Sequence, residues 1–325
     1  MQEIQIIYVV TFDDSNYCFE QAVLSMCSVR MHNPLAVVRM VTDPASASLI
    51  TGWRKDLLRA YHCEVLAFEV PERFNKLKRS RYLKTRLRLL VDGDFLFIDT
   101  DTIICRPLDE VSNVKGDIGA VLDSHLLLDE NLSVRTENFR FKLAGIDTSD
   151  DPAYFNSGVM WVRDTPAARE FYKQWSKRWL TLCEEKKIHY DQLSLYLTNR
   201  QLGHLIQPMA GEWNCQLGGW FLESLSDAYI IHYYASSHSQ EAPFFYFKNE
   251  KLYQEIRKLG RVSEEMKESL RHPQLQFNSH YVLLSGDDLA AYKKSKACYD
   301  LCMESPRRFW FIDKLARLLQ KTYKR

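Results

Sequence analysis

A chain of 325 residues, 46% hydrophobic and 26% charged, is long enough for one large or two modest cores and reads as globular. Its net charge of +1 gives no overall attraction for nucleic acid, and no apolar run reaches the roughly 18 residues that a bilayer-spanning helix needs. The eight cysteines are scattered through apolar segments without a CxxC pair, which argues for reduced core thiols in a cytosolic protein and against a disulfide framework or a zinc site.

In chain order, Met1 leads straight into a strand-like run, Ile4 to Val10, so no signal peptide is expected. Thr11 to Asn16 is a polar turn. Phe19, Val23, Met26 and Cys27 then recur at helical spacing between Tyr17 and Arg30, with Ser15 or Asn16 available as N-cap. Ala36 to Val41 predicts a second strand, broken by Asp43-Pro44. A helix carrying Leu49, Trp53, Leu57 and Leu58 follows, then a third strand at Val65 to Phe68. Strands alternating with helices predict βαβ units and a mostly parallel sheet. Such sheets bind ligands at the carboxyl ends of their strands, which is where the first turn lies. Asp13 suits ribose hydroxyls there and Tyr17 a base, with Thr11 beside them; plain turn and capping chemistry is the competing reading. There is no GxGxxG and no GxxxxGK[ST], so dinucleotide dehydrogenases and P-loop enzymes have no support.

Residues 76–91 predict a basic amphipathic helix, with Leu83, Leu87 and Leu90 on one face and Arg81, Lys84, Arg86 and Arg88 on others. It feeds into DFLFIDTDTIICRP, Asp94 to Pro107. Phe95 to Ile98 has the continuous apolar pattern of a buried strand. Asp99 and Asp101, at i and i+2 in extended backbone, point to one side, and two convergent oxygens at a dry wall suit a hard divalent cation that leaves room for phosphates. A bare Asp-x-Asp also caps turns; the apolar flanks and the partners further along favour the ligand reading. Arg81 and Lys84 are the cations best placed to reach an anionic ligand, Arg by bidentate phosphate bonds, and Thr100 stands between the two carboxylates.

Asp117 to Leu122 predicts a strand ending at Asp123. The polar stretch Ser124 to Asp151, with a helix near Glu137–Ala144, is long for a simple connection and reads as a lid or an acceptor-shaping insertion. In Tyr154 to Val162, Asn156-Ser157-Gly158 is a small polar corner that permits close approach of a ligand. A helix with Phe171, Trp175 and Trp179 follows, and Asp191-Gln192 opens the next one, where a carboxylate favours the helix dipole. Leu205-Ile206 reads as a short strand, Glu212 to Asn214 as a turn, and Tyr229 to Tyr234 as a final strand. His232 is either a hydrogen-bonded core histidine or, beside two carboxylates, a ligand suited to Mn²⁺. After about Ser236 the alternation stops. The expected division is a ligand-binding domain at 1–240 and a helical extension at 241–325. Residues 291–325 hold ten Lys/Arg against three Asp/Glu, and the mixed basic and apolar piece 306–325 predicts either an ordinary docked helix or peripheral contact with an anionic membrane.

Four pieces stand in order: a βα nucleotide-type start, FIDTD, YFNSGVMWV followed by YDQ, and IIHYY. Together they resemble glycosyltransferase family 8, the retaining GT-A enzymes, over roughly residues 3–235. The resemblance implies an α/β fold with a Rossmann-like, mostly parallel central sheet flanked by helices and a helical C-terminal extension. It implies a nucleotide-diphosphate sugar donor, taken here as UDP-linked, and a glycan or glycolipid acceptor in cell-surface polysaccharide synthesis; the cysteines and the basic end place such an enzyme in the cytoplasm, peripheral at the inner face of the membrane. Mn²⁺, or Mg²⁺ in its place, would be held by Asp99, Asp101 and His232. Thr11, Asp13 and Tyr17 would line the nucleoside pocket, with Arg81, Lys84 and Thr100 also on the donor. Asn156 would lie by the transferring sugar and Asp191 with Gln192 at its anomeric face. One departure stands out: the family often follows its histidine with Gly and then Lys-Pro-Trp, whereas here His232 is followed by Tyr233-Tyr234-Ala235-Ser236-Ser237-His238. Diphosphate binding would then lean on the metal, the basic helix or His238. A nucleotidyltransferase should carry a Gly-rich loop where TFDDSN has none, and a non-catalytic sugar-binding module would not need the full Asp99, Asp101 and His232 set.

Overall fold

The computed structural model describes residues 4–128, 141, 151–217, 224–235, 246–277 and 305–323. Its apolar runs become the strands of one twisted sheet. Strand β1 (Gln5–Val9) pairs in parallel with β2 (Val37–Thr42), which pairs in parallel with β3 (Cys63–Ala67). On its other side β1 pairs in parallel with β4 (Phe95–Ile98), all four residues of which are buried. Adding β6 (Ile118–Leu122), β7 (Phe155–Val162) and β8 (Ile206–Pro208) gives the order β3-β2-β1-β4-β7-β6-β8. Only β7 runs against its neighbours, so the mostly parallel, helix-flanked sheet expected from the sequence is what forms. A small second sheet is made by β5 (Thr102–Ile104), β9 (Cys215–Gln216) and β10 (Ile230–His232), in the order β5-β10-β9.

Three stretches differ from expectation for local reasons. Helix α1 (Cys18–His32) starts at Tyr17 without a side-chain cap, because the Asn16 side chain accepts from the Cys18 N–H and the Ser15 hydroxyl donates to Asp13. The helix expected after Asp43 is two: α2 (Pro44–Ser48), whose N-cap Asp43 accepts from the Ser46 N–H at 2.9 Å, and α3 (Trp53–Ala60). The basic stretch 76–91 also divides, into α4 (Lys76–Lys84) and α5 (Leu87–Leu90). The break turns Lys84 and Arg88 inward, where both are almost fully buried, so these two cations are not part of a solvated face.

One sheet face packs on α6 (Pro166–Glu185) and α7 (Asp191–Gln201), with Ile7, Phe97, Met160 and Val162 against Phe171, Tyr172, Trp175 and Leu195. Buried Trp175 donates its indole N–H to the Asp191 carbonyl at 3.1 Å and to the Ser194 hydroxyl at 3.0 Å. A core aromatic of this kind is worth about 3–5 kcal/mol against alanine, and here the same side chain fixes the start of α7. Helices α8 (Glu250–Leu259) and α9 (Glu264–Arg271) pack against α1 through Leu252, Ile256, Met266 and Leu270, and Arg257 pairs with the fully buried Glu20 at 2.7 Å.

The chain divides into two compact units, Met1–His125 with Ala153–His280, and Leu126–Pro152 with Tyr281–Arg325. The first unit runs past the boundary expected at 240, because α8 and α9 bury apolar faces on it. In the second, α10 (Pro306–Tyr323) exposes Trp310, Phe311, Leu315 and Leu318. The helix expected at Glu137–Ala144 and the stretch 278–304 lie outside the described residues, apart from residue 141. Among the described residues no helix is long and apolar enough to cross a membrane.

Candidate functional site

At the carboxyl ends of β1 and β4 the sequence places Asp99-Thr100-Asp101 between two strands of different sheets. The Asp99 N–H donates to the Gly158 carbonyl at 2.7 Å, which ties the start of the loop to β7. Its end is tied to β10, since His232 is the antiparallel register partner of Thr102 and the Tyr233 N–H donates to the Asp101 carbonyl. The second pairing brings together residues more than a hundred positions apart. One ligand atom each from Asp99, Asp101 and His232 lies within 4.8 Å of the others, and His232 Nε2 is 3.3 Å from Asp101 Oδ1. Two carboxylate oxygens and one imidazole nitrogen form a donor set that suits Mn²⁺ or Mg²⁺, so the residues present fit the ion the sequence implies. The Ala235 N–H, 2.9 Å away, donates to the Asp101 carboxylate and fixes its orientation.

A wall of cations stands beside this triad. Lys84, nearly without exposure, reaches Asp99 at 3.2 Å and Asp191 at 3.3 Å, and Arg81 Nε lies 2.9 Å from Asp191. The Ser157 hydroxyl donates to Asp191 at 2.7 Å. Desolvation would raise the Asp191 carboxyl; the guanidinium of Arg81 and the ammonium of Lys84, with the Ser157 bond, overcome it and pull the group well below the usual carboxylate range. Asp191 is thus a fixed anion at the N-terminus of α7, its lone pairs already shared among three donors.

The opposite wall is neutral. Asn156 donates to Asp123 at 2.8 Å and to the Tyr234 hydroxyl at 2.9 Å, while its carbonyl accepts from the Gly158 N–H at 2.8 Å and from Asn214 at 2.9 Å. A carboxamide offers two donor and two acceptor positions, so Asn156 is fully engaged within the protein. Gln192 donates to Asp123 at 2.9 Å and to the Phe155 carbonyl at 3.4 Å, which leaves its carbonyl oxygen as the end available to a substrate. The Gly158 corner serves a close approach of another kind from the one expected. A Cβ there would lie 2.4 Å from His232 Cε1, so the glycine admits the imidazole ring.

These groups line a cleft of about 630 Å³ that includes Thr11, Arg81, Thr100, Asn156, Gln192 and His232. Thr11 spends its hydroxyl on the Lys76 carbonyl at 3.0 Å. Two expected nucleoside contacts are not brought to the cleft lining. Asp13 is paired with Lys76 at 2.8 Å, and Lys76 first, then Ser15, hold its carboxyl down at about 2. Tyr17 turns to α8, its ring 5.4 Å from Tyr253, under the Arg257 guanidinium, with its hydroxyl accepting from Gln254 at 3.1 Å. Partners from beyond residue 240 thus pack against that ring. Asp123, Asn214 and Tyr234 were not singled out from sequence as site residues, since a strand-end Asp, a turn Asn and a strand Tyr carry no local signal. A larger hollow of about 890 Å³ lies at the amino ends of the strands, against Gln5, Asp92 and Arg163, away from the carboxylates. Position 238 lies outside the described residues.

Residues 14–238 match the family model described as glycosyl transferase family 8. No curated protein matches the chain. Among solved structures, mouse xyloside xylosyltransferase 1 in its apo form is similar at 16% identity and a TM-score of 0.47, over 71% of this chain and 97% of that one. The apo form of the glycosyltransferase GlyE of Streptococcus pneumoniae TIGR4 is similar at 13% identity and a TM-score of 0.49. That match takes in 88% of this chain and 66% of the GlyE chain.

Proposed function

The chain belongs to glycosyl transferase family 8, and from that premise we propose that it transfers a hexose from a UDP-linked sugar to a glycan or glycolipid acceptor, with retention, in the synthesis of cell-surface polysaccharide. The observation that carries this reading is the convergence of Asp99, Asp101 and His232 within 4.8 Å. In this reading those three side chains hold Mn²⁺, or Mg²⁺ in its place. When bound, the ion stabilises the charge that builds on the departing diphosphate. The catalytic domain in this reading is the expected 1–240 region, extended by α8 and α9, which pack on α1.

In this reading Arg81 and Lys84 offset the charge of Asp99 and Asp191 and, with a bound cation, make the cleft acceptable to an anionic donor. Thr11 and Thr100 line its entrance, and Asp13 and Tyr17 shape the nucleoside end from behind through Lys76 and Arg257. The Gln192 carbonyl faces the sugar and Asn156 holds the wall on which it rests. A retaining enzyme can use a carboxylate nucleophile, but Asp191 has its oxygens shared by Arg81, Lys84 and Ser157, which lowers its nucleophilicity. A front-face transfer follows, in which the leaving phosphate takes the acceptor hydroxyl's proton. The exposed Trp310, Phe311, Leu315 and Leu318 of α10, with Arg307, Arg308 and Lys314 among them, support peripheral attachment to an anionic membrane on its cytoplasmic side. A screen of UDP-sugars with Mn²⁺, read by release of UDP, tests the proposal. Turnover or slow hydrolysis of at least one UDP-hexose is expected, and no release from any donor would overturn it.

A further inference from the structure

A hydrogen-bond chain runs behind His232, and its direction is fixed at several points by groups that can only donate or only accept. The Gly158 N–H is a donor, so the Asn156 atom 2.8 Å from it is the carbonyl oxygen. The other end of Asn156 is therefore its amide nitrogen, and it meets Asp123 at 2.8 Å, an acceptor when ionised. It also meets the Tyr234 hydroxyl at 2.9 Å. That phenol gives its own proton to Gln216 Oε1 at 3.0 Å, an oxygen identified independently because the Ser124 N–H donates to it at 2.8 Å. The Asn156 carbonyl in turn requires the amide nitrogen of Asn214, at 2.9 Å. Asn214 is fully buried and is left with only its carbonyl oxygen for His232 Nδ1, 3.2 Å away.

We infer that Asn214 is a positioning residue for the metal ligand: its carbonyl, oriented by Asn156, Gly158 and Asp123, holds the proton of His232 on Nδ1 and so keeps Nε2 as the nitrogen available to a cation. This rests on the metal-site reading above and extends it to the groups that set the histidine tautomer. The two ring nitrogens of histidine are distinct, and the bond made by one decides which of them can ligate. Here the choice matters, because Nε2 faces Asp101 at 3.3 Å. If Asn214 presented its NH₂ group, Nδ1 could hold no proton, the ring would be driven to carry it on Nε2 against Asp101, and the metal would have to displace it. The ring has little freedom to escape this constraint: Tyr234 stacks on one side, centroids 4.2 Å apart, and the bare Gly158 backbone lies close by.

The test is nitrogen-15 NMR of histidine-labelled, full-length protein without added metal, with the His232 signals assigned by their loss in His232→Gln. A proton bonded to Nδ1 is expected. An Nδ1 that carries no hydrogen would overturn the inference whether or not the protein binds metal. Asn214→Leu should abolish that signal and weaken Mn²⁺ binding, read by titration of water-proton relaxation, by tenfold to a hundredfold, the range for loss of such supporting bonds. Asn214→Asp keeps an acceptor on Nδ1 but sets an oxygen against the Asn156 carbonyl. It should therefore lower Tm while retaining both the Nδ1 proton and Mn²⁺ affinity, a separation that a purely structural Asn214 would not give. Equal loss of affinity in both variants, or unchanged affinity in Asn214→Leu, overturns the proposal. Failure of the wild-type protein to bind Mn²⁺ at all counts instead against the metal-dependent reading, and the Nδ1 measurement stands apart from it.

Discussion

The two walls of the cleft hold their functional groups by different physics. On one, Lys84, Arg81, Asp99 and Asp191 are held by formal charge; on the other, Asn156, Asn214, Gln216 and Tyr234 are held by neutral bonds whose direction matters. Charge acts over distance and tolerates small displacements, but removing one partner leaves another ion stranded in a poorly solvated place. A carboxamide network carries less energy per bond and far more directional information, because reversing a single amide turns donors into acceptors down the line. One wall concentrates formal charge; the other fixes the direction of the hydrogen bonds behind His232.

Either wall can be perturbed separately. The largest effect is expected where both walls converge, at Asp101, whose carboxylate faces His232. Asp101→Ala should lower transfer on the order of 10³-fold, about 4 kcal/mol of transition-state stabilisation, with an unchanged circular dichroism spectrum; retained activity would put the metal elsewhere. Next comes the charged wall alone. Lys84→Met leaves Asp99 and Asp191 without their shared cation and should cost about 3 kcal/mol of folding stability in urea denaturation. The pH dependence has a definite sign here. The folded-state pKa of Asp191 is depressed, so its contribution is complete above the unfolded value of about 4 and is lost as pH falls below it. Wild-type stability should drop between pH 5 and about pH 3, a drop that Lys84→Met should reduce.

On the neutral wall the expected effects are smaller and appear in binding more than in folding. Gly158→Ala forces a Cβ to within 2.4 Å of His232 Cε1, and displacement of the ring should weaken Mn²⁺ about tenfold or more, within the range for disturbed ligand support. Affinity equal to wild type would show that the ring has room to shift. Tyr234→Phe removes one hydroxyl between Asn156 and Gln216 and should cost about 1 kcal/mol of stability. The ring stack on His232 remains, so Mn²⁺ affinity should change by less than tenfold in the same titration.

Much of this was legible in the chain. The strands β1, β2, β4 and β7 were readable because each is a short apolar run bounded by polar residues, and Asp99 and Asp101 because i and i+2 carboxylates at the end of such a run share a side. His232 was readable only in company with them. Nothing local shows that Tyr253 and Arg257, some 240 positions away, will pack against Tyr17. Asp123 and Asn214 were passed over for a related reason: a lone Asp after a strand and a lone Asn in a turn look the same whether they face water or, as here, the buried amides and the ring of His232.

Hydrophobic period and residue spacing are local properties that the backbone converts directly into strands and faces, which is why the parallel sheet and the carboxylate pair at its edge could be read from the chain. The tertiary structure decided how those groups are held. The pairing of Lys84 with two carboxylates, the turning of Tyr17 away from the cleft and the orientation of the Asn214 carbonyl toward His232 all depend on contacts between distant segments, and such contacts exist only once the core has closed and brought them within hydrogen-bonding distance.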